Sequence, residues 1–247
     1  MASLVRYLYK KRTIEQLQNE VLSQLRSGNA VIIKNFPCST YTVVTDFIYA
    51  LGNPITAARS AIEGSKIIQK VRKYVKPRLD PYGHEILSTT SGYFPLHTDN
   101  YCNQTPADII GLLCQEPSAS GGESLYLGLD EIRSKLPYTL FESLCQPLYQ
   151  HPSGLRPIIT GTKNSQKIFF NERDILLCDK GADIKMEARS IECIKLFSAF
   201  LEKETKAHKL EKKDLLLINN TRMLHGRNSF PDSGTRRFLR FRISWKD

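Results

Sequence analysis

Asp214-Leu215-Leu216-Leu217-Ile218-Asn219-Asn220-Thr221-Arg222-Met223-Leu224-His225-Gly226-Arg227 is an apolar run, a polar turn and then a histidine. The run Leu215-Leu216-Leu217-Ile218 predicts a buried strand, which would deliver His225 to the end of a sheet.

Further toward the N-terminus stands Phe94-Pro95-Leu96-His97-Thr98-Asp99-Asn100. If residues 97 to 99 are extended, side chains two apart share a side, so His97 and Asp99 can grip one ion. With His225 they offer two imidazoles and a carboxylate, the set that holds a redox-active iron on one face and leaves the opposite positions open. A lone His-x-Asp is common by chance and fits an ordinary hydrogen-bonded pair equally well.

Toward the C-terminus, Gly234-Thr235-Arg236-Arg237-Phe238-Leu239-Arg240-Phe241-Arg242-Ile243-Ser244-Trp245 alternates like a strand. Arg237, Leu239, Phe241 and Ile243 fall on one face, and Arg236, Phe238, Arg240 and Arg242 on the other. Two guanidinium forks on one side suit a small dicarboxylate, although on pattern alone a solvated basic face is the commoner outcome. Between the histidine segments, Ala107 to Cys114 reads as a strand, and Gly121-Gly122 as a tight turn before Glu123-Ser124-Leu125-Tyr126. By itself that turn reads as a hairpin connection.

Taken in order, His97-Thr98-Asp99, Gly121-Gly122-Glu123-Ser124, Asp214 to Asn220 leading into Leu224-His225-Gly226-Arg227, and Arg236 with Arg240 resemble the taurine dioxygenase and clavaminate synthase-like family. These are iron(II) and 2-oxoglutarate dependent oxygenases. Phe94 to Pro137 also resembles the matching part of gamma-butyrobetaine hydroxylase, of the same superfamily. The likeness spans about residues 28 to 245 and is sharp at these motifs.

The resemblance implies that His97, Asp99 and His225 bind iron(II), with 2-oxoglutarate and O2 as cosubstrates. It implies that Arg236 pairs with the distal carboxylate of 2-oxoglutarate, helped by Ser124, and that Arg240 sits nearer the metal, by the inner carboxylate or the substrate. Arg237 is the alternative to Arg236, which is preferred because Arg237 shares its face with Leu239, Phe241 and Ile243. The implied reaction decarboxylates 2-oxoglutarate to succinate and hydroxylates an unactivated carbon. Halogenation is disfavoured because it needs a small residue where Asp99 stands, whereas desaturation, cyclisation and epoxidation stay open.

For the substrate, family positions nominate Tyr93, Tyr101, Phe170 and Arg173, each equally readable as ordinary packing or surface charge. Arg222 and Arg227 read as braces for the strand through ion pairs, and His84, His151 and His208 receive no role. A free amino acid or a small derivative is the first expectation, and a substrate tethered to an acyl or peptidyl carrier protein the second. The formal charge of +10 and the cluster Lys70, Arg72, Lys73, Lys76 and Arg78 beside Tyr74 would suit an anionic partner. A nucleic-acid-binding protein is thus the rival from another class, ranked lower because no recognisable motif accompanies the cluster.

The fold this implies is mainly β with flanking helices, a distorted double-stranded β-helix or jelly-roll barrel. The expectation is one oxygenase domain over residues 1–247, with an N-terminal helical segment at 1–28 and a helical insertion at about 180–210. An apolar fraction of 41% suffices for a packed interior, while no apolar run approaches the ~18 residues of a membrane span. The first twelve residues lack a secretory signature, so a cytoplasmic location is expected. Six dispersed cysteines read as buried thiols, with Cys102 as pocket lining or packing.

Thr13-Ile14-Glu15-Gln16 reads as a capping box, and Ile14, Leu17, Val21 and Leu25 as a helical stripe ending near Gly28. Ala30 to Phe36 predicts a strand, 41 to 51 a helix closed by Gly52, and Ile67 to Val75 an extended basic segment. Short helices are expected over 130 to 146, capped by Asp130 and broken at Pro137, and a longer one over Ala188 to Lys206. The stretch His208 to Lys213 reads as a solvated connection.

Overall fold

A computed structural model describes residues 4–8, 14–38, 40–56, 67–80, 83–101, 103, 106–162 and 165–246 of the chain. The readings placed on Thr13 and Cys102 lie outside the described residues.

The first strands are β1 (Leu4–Leu8), β2 (Ala30–Lys34), β3 (Asn53–Pro54), β4 (Ile68–Arg72), β5 (Phe94–His97), β6 (Ile109–Glu116) and β7 (Ser124–Gly128). Two small hairpins follow, β8 (Tyr149–His151) with β9 (Gly154–Arg156), and β10 (Ile159–Thr160) with β11 (Lys167–Ile168). The last are β12 (Lys206–His208), β13 (Leu215–Asn219), β14 (Met223–Arg227) and β15 (Arg237–Ser244). The helices are α1 (Ile14–Arg26), α2 (Tyr41–Leu51), α3 (Leu129–Lys135), α4 (Tyr138–Leu144), α5 (Glu172–Gly181) and α6 (Ala188–Glu204).

Seven strands form a large sheet in the order β1-β2-β13-β6-β15-β3, with β4 also paired to β15. Four form a smaller sheet in the order β12-β7-β14-β5. Alternation along β13 explains why all its residues are buried. Leu215 and Leu217 pack toward α1 and α2, with Val31, Leu239 and Phe241, whereas Leu216 and Ile218 face inward with Ile32, Cys114 and Phe238. The small sheet divides similarly, Leu125, Leu127 and Leu224 packing outward on residues of α3 to α6. Two sheets thus enclose an inner layer, with helices outside each.

Several expectations change. The apolar run does not carry His225 on its own sheet, because Asn219 to Arg222 turns the chain and His225 lies within β14 of the other sheet. The double glycine is not a hairpin, since β6 belongs to the large sheet and β7 to the small one. Gly121 (φ 62) and Gly122 (φ 68) take the left-handed backbone this crossing requires, and a Cβ on Gly121 would lie 2.2 Å from the Ser229 carbonyl oxygen. Asp130 is not a helix cap, for Gly128 holds that position and Asp130 pairs with Arg222 at 2.6 Å.

The stripe residues Leu17, Val21 and Leu25 are fully buried, and Ile194, Phe197 and Leu201 of α6 are core. The segment read as a solvated turn begins as β12 and buries Leu210. Among the described residues no helix is long and apolar enough to cross a membrane.

Candidate metal centre and its two cavities

His97 on β5 stands directly opposite His225 on β14, and paired residues of antiparallel strands share a face. On β7, Tyr126 opposes His225 and Ser124 opposes Arg227, so all of these side chains belong to the inner face. The two imidazole centroids are 4.5 Å apart.

Asp99 arrives differently from the extended-chain expectation. β5 ends at His97, and Asp99 opens a turn in which Asn100 takes a φ of 59°. Two anchors hold this turn. The Thr98 N–H donates to the Phe170 carbonyl at 2.6 Å. The Asn220 side chain accepts from Asp99 N–H at 2.9 Å and donates to the carbonyls of Asp99 and Ala107 at 3.1 and 2.9 Å. Asn220 therefore ties the carboxylate's backbone to the turn that precedes β14.

All three residues are buried, and their potential ligand atoms lie within 4.8 Å of one another. His97 Nδ1 is 2.8 Å from the Pro95 carbonyl, which makes Nδ1 the donor there and leaves Nε2 on the side of Asp99, 3.6 Å from Oδ1. Buried His97 Nε2 and His225 Nδ1 have no hydrogen-bond partner. Burial and the neighbouring His97 push His225 down to about 3, so its imidazole is neutral. Burial opposes ionisation of Asp99, but Arg240 and Arg242 outweigh it and hold the carboxyl well below the usual range. An ionised Asp99 carboxylate beside a neutral His225 imidazole is what binding of a divalent transition metal requires of these ligands.

Arg242, to which the strand pattern assigned no role, is the missed member. Its Nε and Nη2 lie 2.9 and 2.8 Å from Asp99 Oδ2, and its Nη1 donates to Gln69 Oε1 at 2.6 Å. Arg240 reaches Asp99 Oδ1 at 3.3 Å and shares the Gln69 oxygen. The alternation already placed Arg242 on the face of Arg236 and Arg240; the missing signal was the distant acceptor Gln69 on β4.

Two cavities meet here and share Phe94 and His97, whose rings stack at 4.0 Å. The inner one, about 40 Å³, is bounded by His225, Arg227, Arg236 and Arg240. Arg236 is 7% exposed, donates through Nε to the Gly122 carbonyl at 3.2 Å, and lies over Phe238. A Cβ on Gly122 would approach its Cδ to 3.2 Å, so the second glycine makes room for this guanidinium. No described carboxylate pairs with Arg236; burial and nearby Arg227 push it down to about 9. Arg237 sits at the surface, its side chain 60% exposed and paired with Glu116.

Arg227 does not form the expected ion pair with a described residue. It is buried, donates to the carbonyls of Gly92 and Leu87, and lies over Phe230. Arg222 does form one, with Asp130.

The outer cavity, about 340 Å³, lies against α5 and includes Arg173. Helix α5 itself was missed, although Asn171 is a readable cap whose side chain accepts from Asp174 N–H, followed by acidic residues in the first turn. Of the other nominated residues, Tyr93 is partly exposed and borders a neighbouring small pocket with Phe170. Phe170 also packs edge-on against Phe197. Tyr101 lines neither cavity; it donates to the Gln150 carbonyl at 2.9 Å and packs on His151, a core role in place of substrate contact. In the basic cluster, Arg72 and Arg78 both lie over the Tyr74 ring and Lys73 pairs with Asp232.

Two facing sheets around a His-Asp-His cluster, beside a buried arginine that no described carboxylate pairs, fit a non-haem iron, 2-oxoglutarate dependent oxygenase, which the chain is. The sequence pattern of the taurine catabolism dioxygenase TauD, TfdA family matches residues 8–242, and the chain belongs to that family. Among solved structures it is similar to an asparagine oxygenase in complex with Fe(II), 2S,3S-3-hydroxyasparagine and succinate, with a TM-score of 0.72 and 15% identity over 93% of this chain and 79% of that one. It is also similar to the non-heme iron oxygenase OrfP in complex with Fe and alpha-ketoglutaric acid, with a TM-score of 0.71 and 14% identity over 94% and 80% of the two chains. A search of curated proteins gives no match.

Proposed function

We propose that the chain, as one oxygenase domain of distorted double-stranded β-helix type, hydroxylates an unactivated carbon of a free amino acid or a small derivative. The observation that carries this reading is the buried His97, Asp99 and His225 cluster, with ligand atoms within 4.8 Å, beside a cavity that holds the unpaired Arg236. The structural neighbours support the substrate class, since their complexes contain hydroxyasparagine and hydroxy-arginine.

The residues fit an iron(II) ion, because two imidazole nitrogens are buried without partners and an ionised carboxylate offers an oxygen within 4.8 Å of the imidazole ligand atoms. When bound, iron(II) with 2-oxoglutarate and O2 supplies oxidation in which one oxygen atom enters the substrate C–H bond and the other enters succinate, with release of CO2. His97, Asp99 and His225 would hold the metal. Arg236 would take the distal carboxylate of 2-oxoglutarate in a charge-assisted pair, with Ser124 assisting from the inner face of β7. Arg240 holds Asp99 from one side and borders the same cavity, where it would meet the inner carboxylate. Phe94, Leu96, Leu176 and Leu177 would give the reacting carbon an apolar surround beside His97.

The test is to supply the iron-loaded protein with 2-oxoglutarate and screen small acids for substrate-dependent succinate formation and a product heavier by one oxygen. Coupled oxidation of an amino acid supports the reading; oxidation only of carrier-tethered compounds, or of none, overturns it.

A further inference from the structure

The outer cavity is built for one kind of amino acid. Helix α5 turns Arg173, Leu176, Leu177 and Lys180 toward it, the spacing of a single helical face. Glu172 joins them at the first turn, and Phe94, stacked on His97, lines the same cavity. The charges sit at the ends and the middle is apolar. Arg173 donates one N–H to the Glu85 carbonyl, Glu172 accepts from Ser198 at 2.8 Å, and no described carboxylate pairs with Arg173 or Lys180.

We infer that this cavity takes a zwitterionic α-amino acid with an apolar side chain, its carboxylate on Arg173, its ammonium on Glu172, and its side chain along Leu176 and Leu177 toward Phe94 and His97. The inference rests on the amino-acid oxygenase reading above and goes beyond it by naming the side-chain class. Glu172 and Arg173 diverge on the helix but both border this cavity, so a carboxylate and a guanidinium are available there to the two charges of a zwitterion. With Glu172 taken by the ammonium, Leu176, Leu177 and Phe94 offer a basic side chain no hydrogen-bond acceptor, so burying it among them is unfavourable. Lys180, exposed at the far end of the stripe, adds like-charge repulsion against such a substrate.

The experiment measures succinate formation by the iron-loaded protein with 2-oxoglutarate and leucine, norleucine, phenylalanine, N-acetylleucine, lysine or arginine. The expected result is kcat/KM at least about tenfold higher for an apolar amino acid than for lysine or arginine, a similar loss on N-acetylation, and a higher KM in Arg173→Ala. Lys180→Glu, a change at an exposed position, should shrink the discrimination against lysine at least about fivefold. Lysine or arginine turning over as well as leucine would overturn the side-chain assignment and leave the amino-acid reading standing. Turnover only of a polar amino acid such as asparagine, added to the panel, would likewise overturn the side-chain assignment alone, and stimulation by no amino acid at all would overturn both.

Discussion

Arg242 places both Nε and Nη2 within 2.9 Å of one oxygen of Asp99, Oδ2, while the other, Oδ1, lies 3.6 Å from His97 Nε2. The carboxylate is thereby divided between a structural oxygen and one that faces the imidazoles.

The first prediction follows from that division. Arg242→Met removes the two close donors to Oδ2 and leaves only the longer contact from Arg240 at 3.3 Å, so Fe(II) affinity should fall by roughly 10–100-fold, the usual effect of losing a partner that orients a metal ligand. Arg242→Lys should fall between, because an ammonium cannot reproduce the fork. Anaerobic metal titration reads this directly, and unchanged affinity in Arg242→Met would show that Arg240 alone orients Asp99.

Arg236 and Arg237 should separate cleanly. Arg236→Met should raise the apparent KM for 2-oxoglutarate by more than about tenfold, given losses of roughly 2–5 kcal/mol when one member of a buried charge pair is removed. Without ligand the same substitution should leave the melting temperature unchanged or raise it, since it removes a buried charge that has no described carboxylate partner. Arg237→Ala should leave the KM alone. The reverse pattern would move the cosubstrate site to the other face of β15.

Asn220→Ala strips hydrogen bonds from the backbone N–H and carbonyl of Asp99 and from the Ala107 carbonyl. A loss of about 2–4 kcal/mol is expected for groups left unsatisfied in the interior, each kcal/mol lowering the melting point by about 2–4 °C in a chain of this size. Iron affinity should drop with it. Calorimetry showing a variant as stable as the parent would mean that water replaces the amide.

Away from the site, buried Glu131 joins Lys135 of α3 to Lys206 of β12. Burial alone would push its carboxyl up, but the bonds to the two lysines outweigh burial and hold it below the ordinary glutamate value. The unfolded chain therefore binds this proton more readily, so the stabilisation is complete above the unfolded value of about 4.5 and is lost as pH falls through the folded one. Glu131→Gln should cost about 1–2 kcal/mol at neutral pH, reduced by the half-exposed lysines, and the gap from the parent should close on acidification. Melting curves at neutral and acid pH that differ by the same amount would contradict this.

That His97, Asp99 and His225 belong together was legible from the ordered motifs, and the shared face of Arg236, Arg240 and Arg242 from strand alternation, whereas the turn that brings Asp99 in was not. The β13 run likewise announced itself as buried. What stayed hidden depends on partners far apart in the chain. Nothing near Arg242 announces Gln69, and nothing near Gly121 announces that the chain crosses from one sheet to the other there. Tyr101 read as a substrate contact from its place beside the motif, yet the turn at Asp99 and Asn100 sends it into the core against Gln150 and His151. Helix α5 was hidden for a different reason: its apolar residues are few, and only the cap at Asn171 marks it.

The most direct test of the central claim is anaerobic addition of Fe(II) and 2-oxoglutarate to the purified protein, with metal stoichiometry and visible absorption followed together. The account predicts one iron per chain and the weak charge-transfer band of a 2-oxoglutarate chelate, both lost in His225→Ala. A His225→Ala protein that keeps the band and its activity, or a parent that oxidises substrate with zinc alone, would contradict it.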